Sequence, residues 1–289
     1  MYYFGTGVEQ SFEKSKELFQ KAIDQGNGKA IANIMSFTFP DETEENTEAE
    51  DKQASIEDFS PEELWELGKN EWLYGNAEKG REYIILAAEA GNSEAQFQLA
   101  YMYRFGKGVE QSYEKAVEWD LKAAEQGNVG SQNNLGAAYK NGQGVEQSYE
   151  KAVYWHQLAA DQGNDLAQKN LGDDYFEGKG VEQSYEKAVY WYQRAAEQGN
   201  DLALLKLGIM YYYGDGVEQS CDKAFGWLQK AAEQGNDSAQ EIVGLMYYYG
   251  ECIEQSYEKA YEWLQKAAAQ WNFDAINYLS TLSFPEGND

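Results

Sequence analysis

Carboxylates abound in this chain, but histidine and cysteine, the side chains most often used for chemistry near neutral pH, are few and far apart. His156 is the chain's only histidine, so neither a histidine-based triad nor a histidine-rich metal site can be assembled. It shares a recurring slot with Asp120, Tyr192 and Leu228. A slot that accepts those four residues reads as a surface position. Cys221 and Cys252 are too few for a disulfide framework and lack metal-ligand spacing. They replace Tyr185 and loop glycines such as Gly216 of other units; those positions could approach one another, but the sequence reads more simply as an accidental pair of thiols. The Gly-x-Gly loops have neither a Gly-Lys-Ser/Thr ending nor a preceding strand, so they are not phosphate cradles. Glu110, Glu146, Glu182 and Glu218 recur at one place in every loop, whereas a catalytic dyad would break the pattern. The expectation is a non-enzyme without cofactor or metal. A hydrolase dependent on His156 is the rival reading from a different class.

What recurs is the scaffold. Gly-Lys-Gly-Val-Glu-Gln-Ser-Tyr-Glu-Lys-Ala, residues 106–116, returns nearly unchanged at 142–152, 178–188, 214–224 and 250–260. Ala-Ala-Glu-Gln-Gly-Asn keeps step at 123–128, 195–200 and 231–236, with a variant at 159–164. A fixed period of 36 residues means a stacked array of small units. Within a unit, Ala167, Leu171, Gly172 and Tyr175 form a seam on one helix face. Gly136, Gly172, Gly208 and Gly244 sit mid-helix, a cost of about 1 kcal/mol each that is reasonable where two helices cross closely. Two glycines around Lys179 end that helix, Val181 plugs the loop, and Ser184 caps the next helix with Glu186 in its first turn. Ala188, Trp191, Ala195 and Ala196 form that helix's inward stripe, and Gly199-Asn200 is expected to close it in the left-handed region. Each pair is too small to fold alone, so stacking supplies the core.

The pattern A-x-x-x-L-G-x-x-Y-x-x-G-x-G-V, then Y-E-K-A-x-x-W-x-x-x-A-A-x-x-G, closely resembles the Sel-one-like repeat (SLR) family, relatives of tetratricopeptide repeats. The resemblance covers about four complete units plus partial ones. It implies an all-α fold, a right-handed superhelical α-solenoid of antiparallel helix pairs, and an adaptor or scaffold whose concave face holds a partner.

Residues 1–40 read as a partial repeat plus a cap-like helix, and 41–59 as an acidic flexible linker, with capture of a basic partner as its alternative role. Residues 60–289 form the main array, starting with Ser60 as N-cap and Pro61 at N1 and ending in a capping helix from Trp271. Fifty acids against 23 bases give a formal charge of −27. That charge repels nucleic acid and anionic membranes and makes a basic protein or peptide the natural partner. No apolar run approaches the ~18 residues of a membrane span, so no membrane insertion is expected. A cytoplasmic protein is the default reading, a secreted or periplasmic one if the chain is trimmed from a longer protein. The incomplete N-terminal repeat offers a surface for self-association.

In a repeated scaffold the informative positions are those that vary. By analogy with tetratricopeptide arrays, the first helix of each pair lines the concave face, through positions two before, and two, five and six after, the seam leucine. These are Phe97, Tyr101, Arg104 and Phe105; then Asn133, Ala137, Lys140 and Asn141; then Lys169, Asp173, Phe176 and Glu177. Leu205, Ile209, Tyr212 and Tyr213 follow, and last Glu241, Leu245, Tyr248 and Tyr249. The expected groove is polar in the middle and aromatic at both ends, with Arg104, Lys140 and Lys169 pairing with the partner. The tyrosines at 211–213 and 247–249 have packing against the neighbouring unit as their alternative, and Asn134 and Asn170 are either a polar clamp or structural. The second functional reading is an acidic inhibitor or immunity-type protein covering a basic toxin or enzyme.

Overall fold

A computed structural model describes residues 59–283. The expectations for residues 1–40 and for the linker up to residue 58 lie outside the described residues. Among those described there are thirteen helices and no strand. They are α1 (Pro61–Tyr74), α2 (Ala77–Glu89), α3 (Ser93–Phe105), α4 (Tyr113–Glu125), α5 (Val129–Asn141), α6 (Tyr149–Asp161) and α7 (Asp165–Glu177). The series continues with α8 (Tyr185–Glu197), α9 (Asp201–Tyr213), α10 (Cys221–Glu233), α11 (Asp237–Tyr249), α12 (Tyr257–Ala268) and α13 (Phe273–Thr281). The chain divides into two units, one ending at Ser131 and the other beginning at Gln132.

Each recurring phrase has a local job. Ser60 starts α1 with a reciprocal capping box: its hydroxyl accepts from the Glu63 N–H while the Glu63 carboxylate takes the Ser60 N–H, satisfying donors a helix start leaves open. Ser112, Ser148, Ser184, Ser220 and Ser256 cap the even helices through the N–H three residues on. The loop glutamine just before each serine donates back to a carbonyl in the last turn of the preceding helix, Gln111 to Arg104 and Gln219 to Tyr212 for example. Lysine at the third helical position lies over the seam tyrosine, as Lys187 does over Tyr175 at 5.0 Å.

The Glu-Gln-Gly-Asn phrase joins successive pairs. In the first unit Gln126 donates to Gln96, and Asn128 donates to Glu94. In the second, Gln162 and Gln198 reach Gln132 and Gln168, while Asn200, Asn236 and Asn272 reach Asp165, Asp201 and Asp237. The expectation that Asn200 helps to close a helix in the left-handed region is corrected here. Gly199 takes the positive φ, while Asn200 is extended and caps α9 by accepting from the Ala203 N–H. Its side chain thus accepts from the Ala203 N–H through Oδ1 and donates to Asp165 through Nδ2.

The core is built from small-against-large contacts. Ala167, Leu171 and Gly172 of α7 are buried, as are Ala188, Trp191, Ala195 and Ala196 of α8. A Cβ placed on Gly172 would lie 2.6 Å from Tyr192, and one on Gly208 would lie 2.5 Å from Leu228. The mid-helix glycines therefore mark close crossings. Gly172→Ala is expected to lower stability in urea unfolding by about 1–3 kcal/mol through overpacking. An uncrowded glycine would instead gain roughly 1 kcal/mol from the same change.

The thiols are not an accidental pair. Cys221 and Cys252 form a disulfide, with Cα atoms 4.9 Å apart, inside the usual range for such a bridge. The loop glycine of one repeat abuts the start of the preceding even helix: a Cβ on Gly180 or Gly216 would strike the backbone of Tyr149 or Tyr185. Cys252 holds the glycine position, φ 64° included, and Cys221 the tyrosine position, so the same approach brings two sulfurs together. Chain purified without reductant is expected to show no thiol reactivity after denaturation. Two titratable thiols per chain would place the bridge in error.

Candidate partner-binding face

The odd-numbered helices carry the variable positions. In the first unit Tyr101 and Phe105 stack with ring centroids 4.7 Å apart, Lys107 lies over Tyr101 at 5.3 Å, and Phe105 is 55% exposed. Phe97 is half-buried and lies against Gly130. Arg104, expected to be available for a partner, is already engaged. Its Nη2 donates to the buried Asp120 carboxylate at 2.6 Å, while Nε is left without a partner.

The polar middle is likewise an internal network. Lys140 donates to Asp174 at 2.8 Å, and the second oxygen of Asp174 lies 2.7 Å from His156 Nδ1. Lys169 pairs with Asp173 at 3.0 Å, and the Tyr192 hydroxyl donates to the same carboxylate at 2.6 Å. Asn170 donates to Asn133 between successive pairs, and Asn141 is exposed. Phe176 packs near Tyr185, and Lys206 lies over the Phe176 ring at 5.9 Å. Arg104, Lys140 and Lys169 thus serve carboxylates of their own chain before any partner arrives.

The reading of the His156 slot as surface is overturned. Asp120, His156 and Tyr192 are fully buried and Leu228 is 1% exposed; His156, Tyr192 and Leu228 each face the seam glycine of the preceding odd helix. His156 Nε2 lies against Gly136 and makes no hydrogen bond. A signal was present in the repeats themselves. Sixteen residues before the slot stand Arg104, Lys140, Phe176, Tyr212 and Tyr248, matched in turn with Asp120, His156, Tyr192, Leu228 and Leu264. Cations thus accompany buried polar groups, and aromatics accompany tyrosine or leucine. Asp174, buried where sister repeats have Met102, Met210 and Met246, escaped notice altogether.

At the C-terminal end the face is aromatic. Tyr212 and Tyr213 pack edge to face at 5.0 Å, as do Tyr248 and Tyr249; Tyr213 and Tyr249 are 68% and 55% exposed. Tyr248 also stacks on Tyr257. The Tyr212 hydroxyl donates to Glu251 at 3.0 Å, and that bond holds its pKa above the usual tyrosine value. Burial raises the Glu241 carboxyl, against the opposing pull of the Asn272 hydrogen bond. Leu205 and Ile209 are half-buried against the core. Ile209, Tyr212, Tyr213, Leu245 and Tyr249 line a pocket of about 320 Å³. No cluster suited to a metal ion occurs among the described residues.

Burial, and then the Asp173 charge, push the Tyr192 hydroxyl well above the ordinary tyrosine range. The fold therefore favours the protonated phenol. Its contribution is complete below the unfolded pKa of about 10 and is lost as pH rises above it. Tyr192→Phe should cost about 1–3 kcal/mol at neutral pH. Urea melts of the two proteins should converge above about pH 10; a gap constant through that range would contradict the assignment.

An all-α array of helix pairs with a 36-residue period, held by inter-pair amide and carboxylate contacts, defines the class of helical repeat proteins. The Sel1 repeat model matches residues 1–27, 66–92, 93–128, 129–164, 165–200, 201–236 and 237–270, and the chain belongs to this family. It is similar to the structure of a protective antigen of uropathogenic Escherichia coli with an SLR fold (TM-score 0.72, 34% identity, 80% of this chain and 51% of that one). The chain thus spans about half the antigen's length. A Sel1 repeat protein from Oxalobacter formigenes aligns with TM-score 0.70 and 32% identity, over 75% of this chain and 86% of that one. An immunity protein from Pseudomonas aeruginosa aligns at TM-score 0.45 and 24% identity, over 65% of this chain and 70% of that one; this likeness carries no functional argument. No curated protein matches the chain.

Proposed function

We propose that the chain is a non-enzymatic scaffold that holds another protein, or an extended peptide, on the face of its odd-numbered helices. Sel1 repeat proteins generally mediate protein–protein interaction. The observation that carries the reading for this chain is the exposure of Phe105, Tyr213 and Tyr249 on equivalent helices. Exposed aromatic rings on a rigid helical surface are the anchors that partner recognition uses. Within the second unit Lys140 and Lys169 are held by Asp174 and Asp173, so that stretch of the odd helices is ordered before a partner arrives. The net charge of −27 supports a basic partner. It also favours the second reading, an acidic inhibitor that covers a basic protein through exposed charge.

No described helix is long and apolar enough to cross a membrane. The Cys221–Cys252 bridge supports an oxidising compartment over the cytoplasmic default, because disulfides persist in secreted and periplasmic proteins.

Affinity capture from host lysate tests the reading. Phe105→Ala combined with Tyr212→Ala is expected to lose the partner held by the wild type while far-UV circular dichroism stays unchanged. Capture that survives the substitutions but falls away between low and moderate salt would favour the charge-based inhibitor, since exposed pairs are screened beyond about 8–10 Å.

A further inference from the structure

One pocket on this face is lined by residues that differ in reach from those at the same positions one repeat earlier. Its walls are Ile209, Tyr212 and Tyr213 of α9 and Ile242, Leu245 and Tyr249 of α11, with Leu228 of α10 among its lining and Glu251 at its mouth. In the preceding repeat the position of Leu228 is Tyr192, whose hydroxyl reaches across to Asp173. The position of Ile242 is Lys206, which lies over the Phe176 ring at 5.9 Å. Leucine and isoleucine reach less far than tyrosine and lysine, and the space they leave is the pocket of about 320 Å³. That volume lies at the small end of ligand clefts, roughly 300–1,000 Å³, and suits a side chain rather than a cofactor.

The charge around it is one-sided. Residues 201–256 carry nine Asp and Glu against three Lys. Those lysines lie over aromatic rings of their own chain: Lys206 over Phe176, Lys223 over Tyr211 and Lys230 over Trp227. No basic residue lines the pocket, and its one carboxylate, Glu251, is solvent-exposed. Only Oε2 of that carboxylate is taken up by Tyr212. The position of Glu251 is held by its neighbour Cys252, tied to Cys221.

Resting on the scaffold reading above, we propose that this pocket is the anchor site for one large apolar side chain of a partner segment, with a Lys or Arg beside it paired to Glu251. The exposed rings of Tyr213 and Tyr249 flank the inserted side chain and attract the same cation through their faces. Burying one large apolar side chain corresponds to roughly tenfold to a hundredfold in affinity.

The test uses the full chain with its disulfide intact and a fluorescein-labelled peptide, Ser-Gly-Lys-Leu-Trp-Lys-Gly-Ser, read by fluorescence polarisation. Saturable binding is expected, weakened about tenfold or more when the peptide's Leu-Trp becomes Ser-Ser. Replacing both peptide lysines by glutamate should weaken it further. Tyr213→Ala with Tyr249→Ala, both exposed and outside the core, should cost about tenfold or more. Leu228→Tyr supplies a second variant that installs the plug of the preceding repeat opposite Gly208, and it should cost as much. Glu251→Gln should reduce binding of the lysine peptide severalfold and erase its preference over a glutamine version. No saturable binding, equal binding by wild type and the pocket variants, or preference for the acidic peptide would each overturn the pocket. If capture still needs Phe105 and Tyr212 in that event, the wider scaffold reading stands. Peptide binding that behaves as expected while capture ignores those residues would leave the pocket and remove the wider reading.

Discussion

Everything in the array depends on how closely an odd helix can approach the even helix that follows it. The contact is made at one position of each repeat, where a glycine or alanine meets a buried residue twenty positions on: Gly136 with His156, Gly172 with Tyr192, Gly208 with Leu228 and Gly244 with Leu264. Removing the Cβ lets the larger side chain lie on bare helix backbone. The large residue then has freedom to vary, provided that its polar atoms find partners. Asp120 and Tyr192 find theirs in Arg104 and Asp173, and His156 finds one for Nδ1 in Asp174, while its Nε2, pressed against Gly136, goes without. The two hydrocarbon versions, Leu228 and Leu264, need none.

From this contact the character of the variable face of the odd helices follows. Where the slot is polar, a cation or carboxylate from the odd helix turns inward to satisfy it, which in α5 and α7 leaves paired charges, while α3 keeps Tyr101 and Phe105 beside Arg104. Such pairs, once desolvated, add little net stability against hydrocarbon of similar shape, but losing one partner is costly. Where the slot is leucine, the odd helix has no polar atom to serve and carries tyrosines outward instead. Within the second unit, the change from paired charges on α5 and α7 to tyrosines on α9 and α11 is therefore set in the core.

The period, the caps, the crossing glycines and the inward alanines were legible because each is local chemistry repeated in register. Ser184, Gly172 and Ala188 mean the same thing in every unit. The His156 slot misled because tolerance of Asp, His, Tyr and Leu ordinarily signals solvent, and its real cause lies on a different helix. Arg104, Lys140 and Lys169 stand at variable positions of the odd helices, but no motif announces the carboxylates of their own chain that hold them. For Asp174, the clue was a lone acid in a methionine slot. The bridge between Cys221 and Cys252 needed the observation that a loop glycine touches the helix start thirty-one residues earlier, as Gly216 does Tyr185. A pocket that arises from the short reach of Leu228 and Ile242 is a difference between repeats, and no motif announces it.

The disulfide also changes how the array can come apart. Stacked repeats lose structure from their ends, each unit held only by its neighbour. Past the bridge lie α12 and α13, the latter with Phe273 largely exposed; they can fray one after the other. At Cys252 that progression meets a covalent stop, because the loop after α11 is fastened to the start of α10. Helix α11 and its tyrosines can then leave only by straining against α10, so the last two stages of fraying become a single, larger step. The C-terminal aromatic end is in this way given the cooperativity of an interior segment, although it lies near the terminus of the described chain.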